Sequence, residues 1–157
     1  MKLRRFRADD LQEIARLFSG TISSVNKKDY SQEQIKAWSG RCDRLLQNRQ
    51  QFMDTYTIVA AEENRIVGYG NIDDTGYLDQ LFVHKDYQRK KIATAICDEL
   101  ERHVYTKGIE AITVHASITA RTFFEKRGYE TISKQEAELD EIKLTNYLMK
   151  KDEKKYE

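Results

Sequence analysis

At 157 residues and 18.5 kDa, with 39% hydrophobic and 34% charged residues, the chain has the dimensions of one domain around one core. Its 27 basic residues are nearly cancelled by 26 acidic ones, for a formal net charge of +1; this argues against a nucleic-acid binder and confines anion recognition to local clusters. No run of about 18 apolar residues suggests a membrane helix, and the charged start Met1-Lys2-Leu3-Arg4-Arg5-Phe6-Arg7 lacks the apolar segment of a signal peptide, so the cytoplasm is the expected compartment.

Residues 3–7 are expected to form a short strand. Asp9 and Asp10 place carboxylates at the start of a helix in which Leu11, Ile14, Ala15, Leu17 and Phe18 recur at helical spacing. Residues 20–30 read as a loop. Ser31 is a good N-cap, with Gln34 three residues on, for a helix through Ile35 and Trp38, and a polar helix is expected over residues 41–51. The β-branched run 55–61, the turn Glu62-Glu63-Asn64-Arg65, the run 66–72, the turn Asp73-Asp74-Thr75-Gly76 and residues 77–83 spell a three-stranded meander. Alternation breaks where Leu81, Phe82 and Val83 stand adjacent, and a β-bulge there is the expected cause.

Ile92, Ile96, Leu100 and Val104 then repeat every four residues, the mark of a helix with one buried stripe, which stops at Gly108. A short strand over 111–115, a short helix over 120–127 ended by Gly128, and a hairpin of 131–137 with 142–149 complete the chain. A meander followed by β–α–β–α–β–β makes an α+β (mixed α/β) layer fold and not a Rossmann domain, with one domain over residues 1–149. Residues 150–157 are a charged tail expected to fray. Cys97 falls on the apolar stripe, where a thiol acts as a small hydrophobe, and Cys42 lies in a polar stretch. A disulfide between them does not suit a reducing compartment, and their spacing is not that of a zinc site, so no metal is expected.

The chemistry concentrates in residues 81–94, which run from strand through tight loop into a helix start. Backbone N–H groups at such a terminus form an anion site, reinforced by the helix dipole. Lys85, Arg89, Lys90 and Lys91 surround it with positive charge, and the small Ala93 lets a phosphate approach the backbone. A pyrophosphate fits this description; an ordinary helix start with a solvated basic face is the competing reading.

The segment Gln88-Arg89-Lys90-Lys91-Ile92-Ala93 resembles the acetyl-CoA motif of the GNAT superfamily of N-acyltransferases, Gln/Arg-x-x-Gly-x-Gly/Ala, at its first and last positions. Leu81-Phe82-Val83 resembles that superfamily's bulged strand. Ala120-Arg121-Thr122-Phe123-Phe124-Glu125-Lys126-Arg127-Gly128-Tyr129 is similar to its second signature, Ala-x-x-Phe-Tyr-x-x-x-Gly-Phe, in the variant of a bacterial branch with Phe-Phe. The order of elements agrees from residue 3 to residue 149. The resemblance implies a central, mostly antiparallel twisted sheet of about seven strands with helices on both faces. It also implies an acetyltransferase using acetyl-CoA as co-substrate, with cofactor contacts at Leu81, Phe82, Val83, Gln88, Arg89, Lys90, Lys91, Ile92, Ala93, Thr94 and Phe124.

Two positions depart from the pattern. Lys91 stands where glycine is usual: in an ordinary helical conformation its side chain could point away, whereas a positive φ or close contact with the pyrophosphate would weaken cofactor binding, and tolerance of the lysine is the expectation. Phe124 stands where many members carry a tyrosine thought to protonate the departing thiolate, and Tyr147 or water is the expected substitute. A thiol with a pKa of about 8.5 leaves without much help.

The implied reaction is direct attack by an amine on the thioester, with a backbone N–H at Phe82 or Val83 polarising the carbonyl. A base must also take the ammonium proton. Asp79 is the favoured base, with Asp73 and Asp74 more suited to making a turn, and His84 and His115 are the other candidates. The acceptor pocket is expected at Tyr30 and Tyr77, with Trp38 better explained as core. The acceptor is a small-molecule or peptide amine, with no nucleic acid or membrane partner, and a homodimer is compatible with the resemblance. Two rival readings remain: a catalytically silent acyl-CoA-binding module, favoured by Lys91 and Phe124, and a nucleic-acid-binding domain built on the basic residues 85–91, disfavoured by the near-neutral charge.

Overall fold

The computed structural model describes residues 1–153. Seven strands form one sheet in the order β1-β2-β3-β4-β5-β7-β6. They are β1 (Lys2–Arg5), β2 (Tyr56–Glu62), β3 (Arg65–Ile72), β4 (Tyr77–Val83), β5 (Ala111–Ser117), β6 (Glu130–Leu139) and β7 (Ile142–Asp152). All neighbours are antiparallel except β4 and β5, which pair in parallel through only Tyr77 with Thr113 and Leu78 with Val114. Beyond Leu78, β4 therefore has an open edge. The fold is the α+β sheet with helices on both faces that the sequence led us to expect.

Helices α1 (Leu11–Ser24), α2 (Gln32–Ser39), α3 (Cys42–Gln47) and α4 (Arg49–Asp54) cover one face, over a core of Ile14, Phe18, Ile22, Leu45, Phe52, Val59 and Tyr69. Helices α5 (Ile92–Thr106) and α6 (Ile118–Lys126) cover the other, over Ile96, Leu100, Val104, Ile112, Phe124 and Met149. Gly68 and Gly70 of β3 let α5 lie directly on the sheet: a Cβ at Gly68 would stand 2.8 Å from the Ile92 side chain, and one at Gly70 3.0 Å from that of Ile96. The buried Cys97 thiol, pushed up to about 12 by desolvation, belongs to this packing. No helix among the described residues is long and apolar enough to cross a membrane.

Local chemistry explains the starts of α2 and α6 and the link from β1 to α1. Ser31 and Gln34 form a reciprocal capping box at α2, and Ser117 caps α6 by accepting from the Ala120 N–H. Asp10 accepts two hydrogen bonds from the Arg4 guanidinium, at 2.8 Å each, and one from the Arg7 N–H at 2.7 Å, which ties β1 to the start of α1.

Four expectations are corrected. Helix α1 does not end near Phe18 but runs through Gly20 to Ser24, because Thr21 and Ile22 are buried and Gly20 lies on an open face; tertiary burial outweighs the propensity cost of one glycine. The polar helix over 41–51 is two short helices that break at Asn48 (φ −103°, ψ 29°). The β4 bulge lies at Asp79 and not among Leu81, Phe82 and Val83: Asn71 pairs with Gln80 and Ile72 with Leu78, while Leu81, Phe82 and Val83 pair regularly with β3. Those three are adjacent and apolar because the strand is covered on both faces, with Leu81 and Val83 against the α5 core and Phe82 against the α1 core. Finally, β7 continues to Asp152, past the expected end at residue 149, since Lys151 is buried against α5. Of the tail expected to fray, residues 154–157 lie outside the described residues.

Candidate active site

Where β4 and β5 part, a cleft of about 700 Å³ opens between them, walled by α1, α5 and α6 and by the β6–β7 hairpin. The bulge at Asp79 sets which side chains face which half. Tyr77, Asp79, Gln80 and Phe82 face the α1–α4 side, whereas Leu78, Leu81 and Val83 face α5. Without the extra residue, Leu78 and Leu81 would lie on opposite faces.

The α5 half has the geometry of an anion cradle. Arg89 and Lys91 both hold left-handed backbone, with φ of 61° and 62°, and Lys91 is the N-cap of α5 without contributing a side-chain cap. The first intrahelical bond runs from the Ala95 N–H to the Lys91 carbonyl, so among the described residues no side chain caps the N–H groups of Ile92, Ala93 and Thr94. A fifteen-residue helix presenting free N–H groups and its positive dipole end suits a phosphate. Gln88 holds the loop in place: its Nε2 donates to the Val83 carbonyl at 2.8 Å and to the His84 carbonyl at 3.3 Å. The Thr21 hydroxyl donates to the same Val83 carbonyl at 2.8 Å.

The open edge of β4 supplies a second donor set. The His84 N–H donates to Val67 of β3, and the Phe82 and Gln80 carbonyls also face β3, over Gly68 and Gly70. Alternation then turns the N–H groups of Leu81 and Val83 toward the cleft. Phe82, one of the two expected carbonyl-polarising positions, directs its N–H into the β3 ladder; of its neighbours, Leu81 and Val83 direct theirs to the cleft.

On the other half, Asp79 is half-buried and its Oδ2 accepts from Gln51 Nε2 at 2.8 Å. Burial raises its carboxyl above the usual aspartate range, against a lowering hydrogen bond from Asn71 and with the negative charge of Asp73 adding to the rise. Tyr77 lies beside it, its hydroxyl 2.9 Å from His115 Nδ1 of β5. Burial, then Asp79 and Asp73, push the Tyr77 phenol up.

Of the residues singled out from sequence, Asp79, Tyr30, Tyr77, Leu81, Phe82, Val83, Gln88, Arg89, Lys91, Ile92, Ala93, Thr94 and Phe124 all line this cleft. Lys90 does not: its ammonium lies 5.1 Å over the Tyr87 ring, on the surface. Tyr147 does not either, because it shares the α6 face of β7 and its ring is covered by the Arg121 guanidinium at 4.1 Å. Asp73 is engaged in its turn, accepting from the Thr75 and Tyr77 N–H groups and the Thr75 hydroxyl. His84 caps its own turn through the Asp86 N–H. Tyr30 is both wall and clamp: its hydroxyl donates to the Thr145 carbonyl at 2.7 Å and accepts from the Ile118 N–H at 2.9 Å. Trp38 is half-buried and lines the cleft as well as packing on Tyr30 and Phe82. Sequence reasoning missed Phe18, Thr21, Leu139 and Leu144; from local signals the first two read as a helix end and a loop, and no local signal brings the hairpin over the cleft.

A family model described as an acetyltransferase (GNAT) domain matches residues 26–151. The chain is 29% identical over 153 residues to an Escherichia coli (strain K12) protein called uncharacterized N-acetyltransferase YafP, covering 96% of this chain and 95% of that one. A GCN5-related N-acetyltransferase from Rhodopseudomonas palustris superposes with a TM-score of 0.92 at 29% identity, covering 96% of this chain and 94% of that one. The PaiA N-acetyltransferase from Thermoplasma acidophilum, solved in complex with coenzyme A, superposes with a TM-score of 0.75 at 19% identity, over 96% and 98% of the two chains.

Proposed function

The chain belongs to the acetyltransferase (GNAT) family, and from that premise we propose that it transfers the acetyl group of acetyl-CoA to an amine by direct attack within a ternary complex, in one acyltransferase domain. The observation that carries the reading is the meeting, in one cleft, of the uncapped α5 terminus and the open β4 edge. Bound acetyl-CoA would supply the activated acetyl thioester. The N–H groups of Ile92, Ala93 and Thr94, with Arg89 and Lys91, would hold its pyrophosphate, and Phe124 would wall its acetyl end. The N–H groups of Leu81 and Val83, turned into the cleft, would donate to the thioester oxygen as it gains charge. Asp79, its carboxyl already raised by burial, takes the proton from the amine. Phe124 has no proton to give, and with Tyr147 outside the lining the leaving sulfur draws its proton from water.

Calorimetric titration with acetyl-CoA tests the reading. One site per chain with a Kd near 1 μM, about −8 kcal/mol, is the expected result, and absence of binding at millimolar ligand would overturn it. Lys91 adds a separate expectation. A left-handed L-residue costs roughly 1–2 kcal/mol, of which glycine returns roughly 0.5–1 kcal/mol as lost flexibility. Lys91→Gly should therefore raise stability by up to about 1 kcal/mol in a urea melt. Acetyl-CoA affinity should change by less than about tenfold, because the backbone already holds the glycine-like conformation. A larger rise would mean that the lysine side chain obstructs the pyrophosphate.

Phe124 favours a second reading, a silent acyl-CoA-binding module. That reading expects the same titration result with no CoA thiol released by any amine.

A further inference from the structure

We propose that the acceptor is an amine carrying a single positive charge on an apolar body of aromatic size. The proposal rests on the acetyltransferase reading of the same cleft.

Phe82 leaves β4 toward the α1–α4 side and meets Phe18 with ring centroids 5.1 Å apart and Trp38 at 6.4 Å; Tyr30 continues the wall at 5.3 Å from Trp38. Leu139 and Leu144 close it from the hairpin, which is held there by Gln34 Nε2 donating to the Lys143 carbonyl at 2.8 Å and by the Tyr30 hydroxyl on Thr145. This half of the cleft is thus an aromatic and aliphatic slot.

Several of its polar groups are engaged, while the buried Asn146 Oδ1 has no partner among the described residues. Gln80 Oε1 accepts from the Tyr69 hydroxyl at 2.7 Å, the Thr119 hydroxyl donates to Asp29 at 2.8 Å, Ser117 Oγ accepts from the Ala120 N–H, and the Tyr77 hydroxyl is with His115. Among the described residues Asp79 is the single carboxylate of the lining, and the lining's two cations, Arg89 and Lys91, stand at the α5 end. One carboxylate suits one ammonium. The further charges of a polyamine would find only Asp29, which lies outside the lining and is engaged by Thr119, and would face two cations, and a buried charge without a partner is costly. A polyhydroxylated amine would find an open acceptor at Asn146 Oδ1 but would mostly exchange water for groups whose hydrogen bonds are already made. An aromatic body gains both burial and ring contacts from Trp38 and Phe82.

The test is an amine panel at saturating acetyl-CoA, read as free CoA thiol. It compares 2-phenylethylamine and tryptamine with spermidine and kanamycin. The aromatic amines should exceed the other two in kcat/KM by at least about tenfold, and faster turnover of spermidine or kanamycin would overturn the proposal. A dipeptide amide beginning with phenylalanine offers the same body from a peptide source; its rate beside that of 2-phenylethylamine identifies the source. Trp38→Ala should lower kcat/KM for tryptamine by about tenfold or more while leaving calorimetric acetyl-CoA affinity unchanged. Trp38→Leu, which keeps an apolar side chain in the fold, should lower it less. Equal rates in all three proteins would remove the wall from the argument. If no amine releases thiol, titration of desulfo-CoA-loaded protein separates the two failures. Binding of tryptamine and not spermidine would uphold the acceptor class while the catalytic reading fails, and binding of spermidine or of neither would overturn the class as well.

Discussion

Replacement of Glu101 by alanine is expected to destabilise the protein by about 3–5 kcal/mol, the range found when one partner of a buried ion pair is removed. Glu101 is fully buried on α5. Its Oε1 lies 2.9 Å from Lys151 Nζ and 3.0 Å from Arg127 Nη2, and its Oε2 accepts from Arg127 Nε at 3.1 Å and from the Tyr129 hydroxyl at 2.9 Å. Burial, then the Glu101 charge, push that phenol up, so it stays a donor at any ordinary pH. The single carboxylate joins α5 to the end of α6, to β7 and to the residue just before β6. Alanine would leave two largely desolvated cations without it, although Arg127 keeps Asp98 at 2.8 Å. For a domain of this length the loss corresponds to a fall in Tm of roughly 6–20 °C. Glu101→Gln, which keeps the shape and loses the charge, should fall between alanine and the parent. Urea melts with unchanged slope would report the difference, and a loss below about 1 kcal/mol for alanine, the scale of an exposed pair, would show that the network contributes little.

Asp79→Asn is the second large effect, and it should separate activity from stability. Removing a general base typically costs about 10²–10⁴-fold in rate, and kcat/KM should fall in that range, with the acidic limb that Asp79 imposes on the pH profile lost. Stability should move the other way. Burial holds the Asp79 carboxyl above its unfolded value, so the folded state keeps a proton that the unfolded chain has released. The stability contributed by that proton is present at low pH and is lost as pH rises through the raised value. At neutral pH the ionised carboxylate is therefore a cost, and the neutral amide should leave Tm equal or higher. Activity lost in step with Tm would make Asp79 a structural residue. Unchanged activity would pass the base role to the Tyr77–His115 pair, whose hydroxyl and imidazole are 2.9 Å apart in the same cleft.

The sequence by itself determined what depends on near neighbours. The four-residue stripe from Ile92 to Val104, the capping pair Ser31 and Gln34, the two meander turns and the chemistry of residues 81–94 are all written within a few positions of one another. Each of them rests on helical or strand periodicity, or on a side chain reaching its own backbone, and they sufficed for the fold class and for locating the loop and helix start that line the cleft. Tertiary structure decided what depends on residues far apart in the chain. Insertion of β5 beside β4 and of β7 between β5 and β6 opens the cleft and turns the N–H groups of Leu81 and Val83 into it. The bulge at Asp79 is defined by β3, which sets the face of every later β4 residue. Tyr30 bonds across 115 and 88 residues to Thr145 and Ile118, and Lys151, expected in a fraying tail, reaches Glu101 across 50. The left-handed backbone of Lys91 belongs to this second group, because a local reading of lysine favours the right-handed form and only the geometry between β4 and α5 imposes the other. Beyond the hairpin-linked pairs, strand order carries no local signature, since it follows from which apolar faces can be buried together once the whole sheet is assembled.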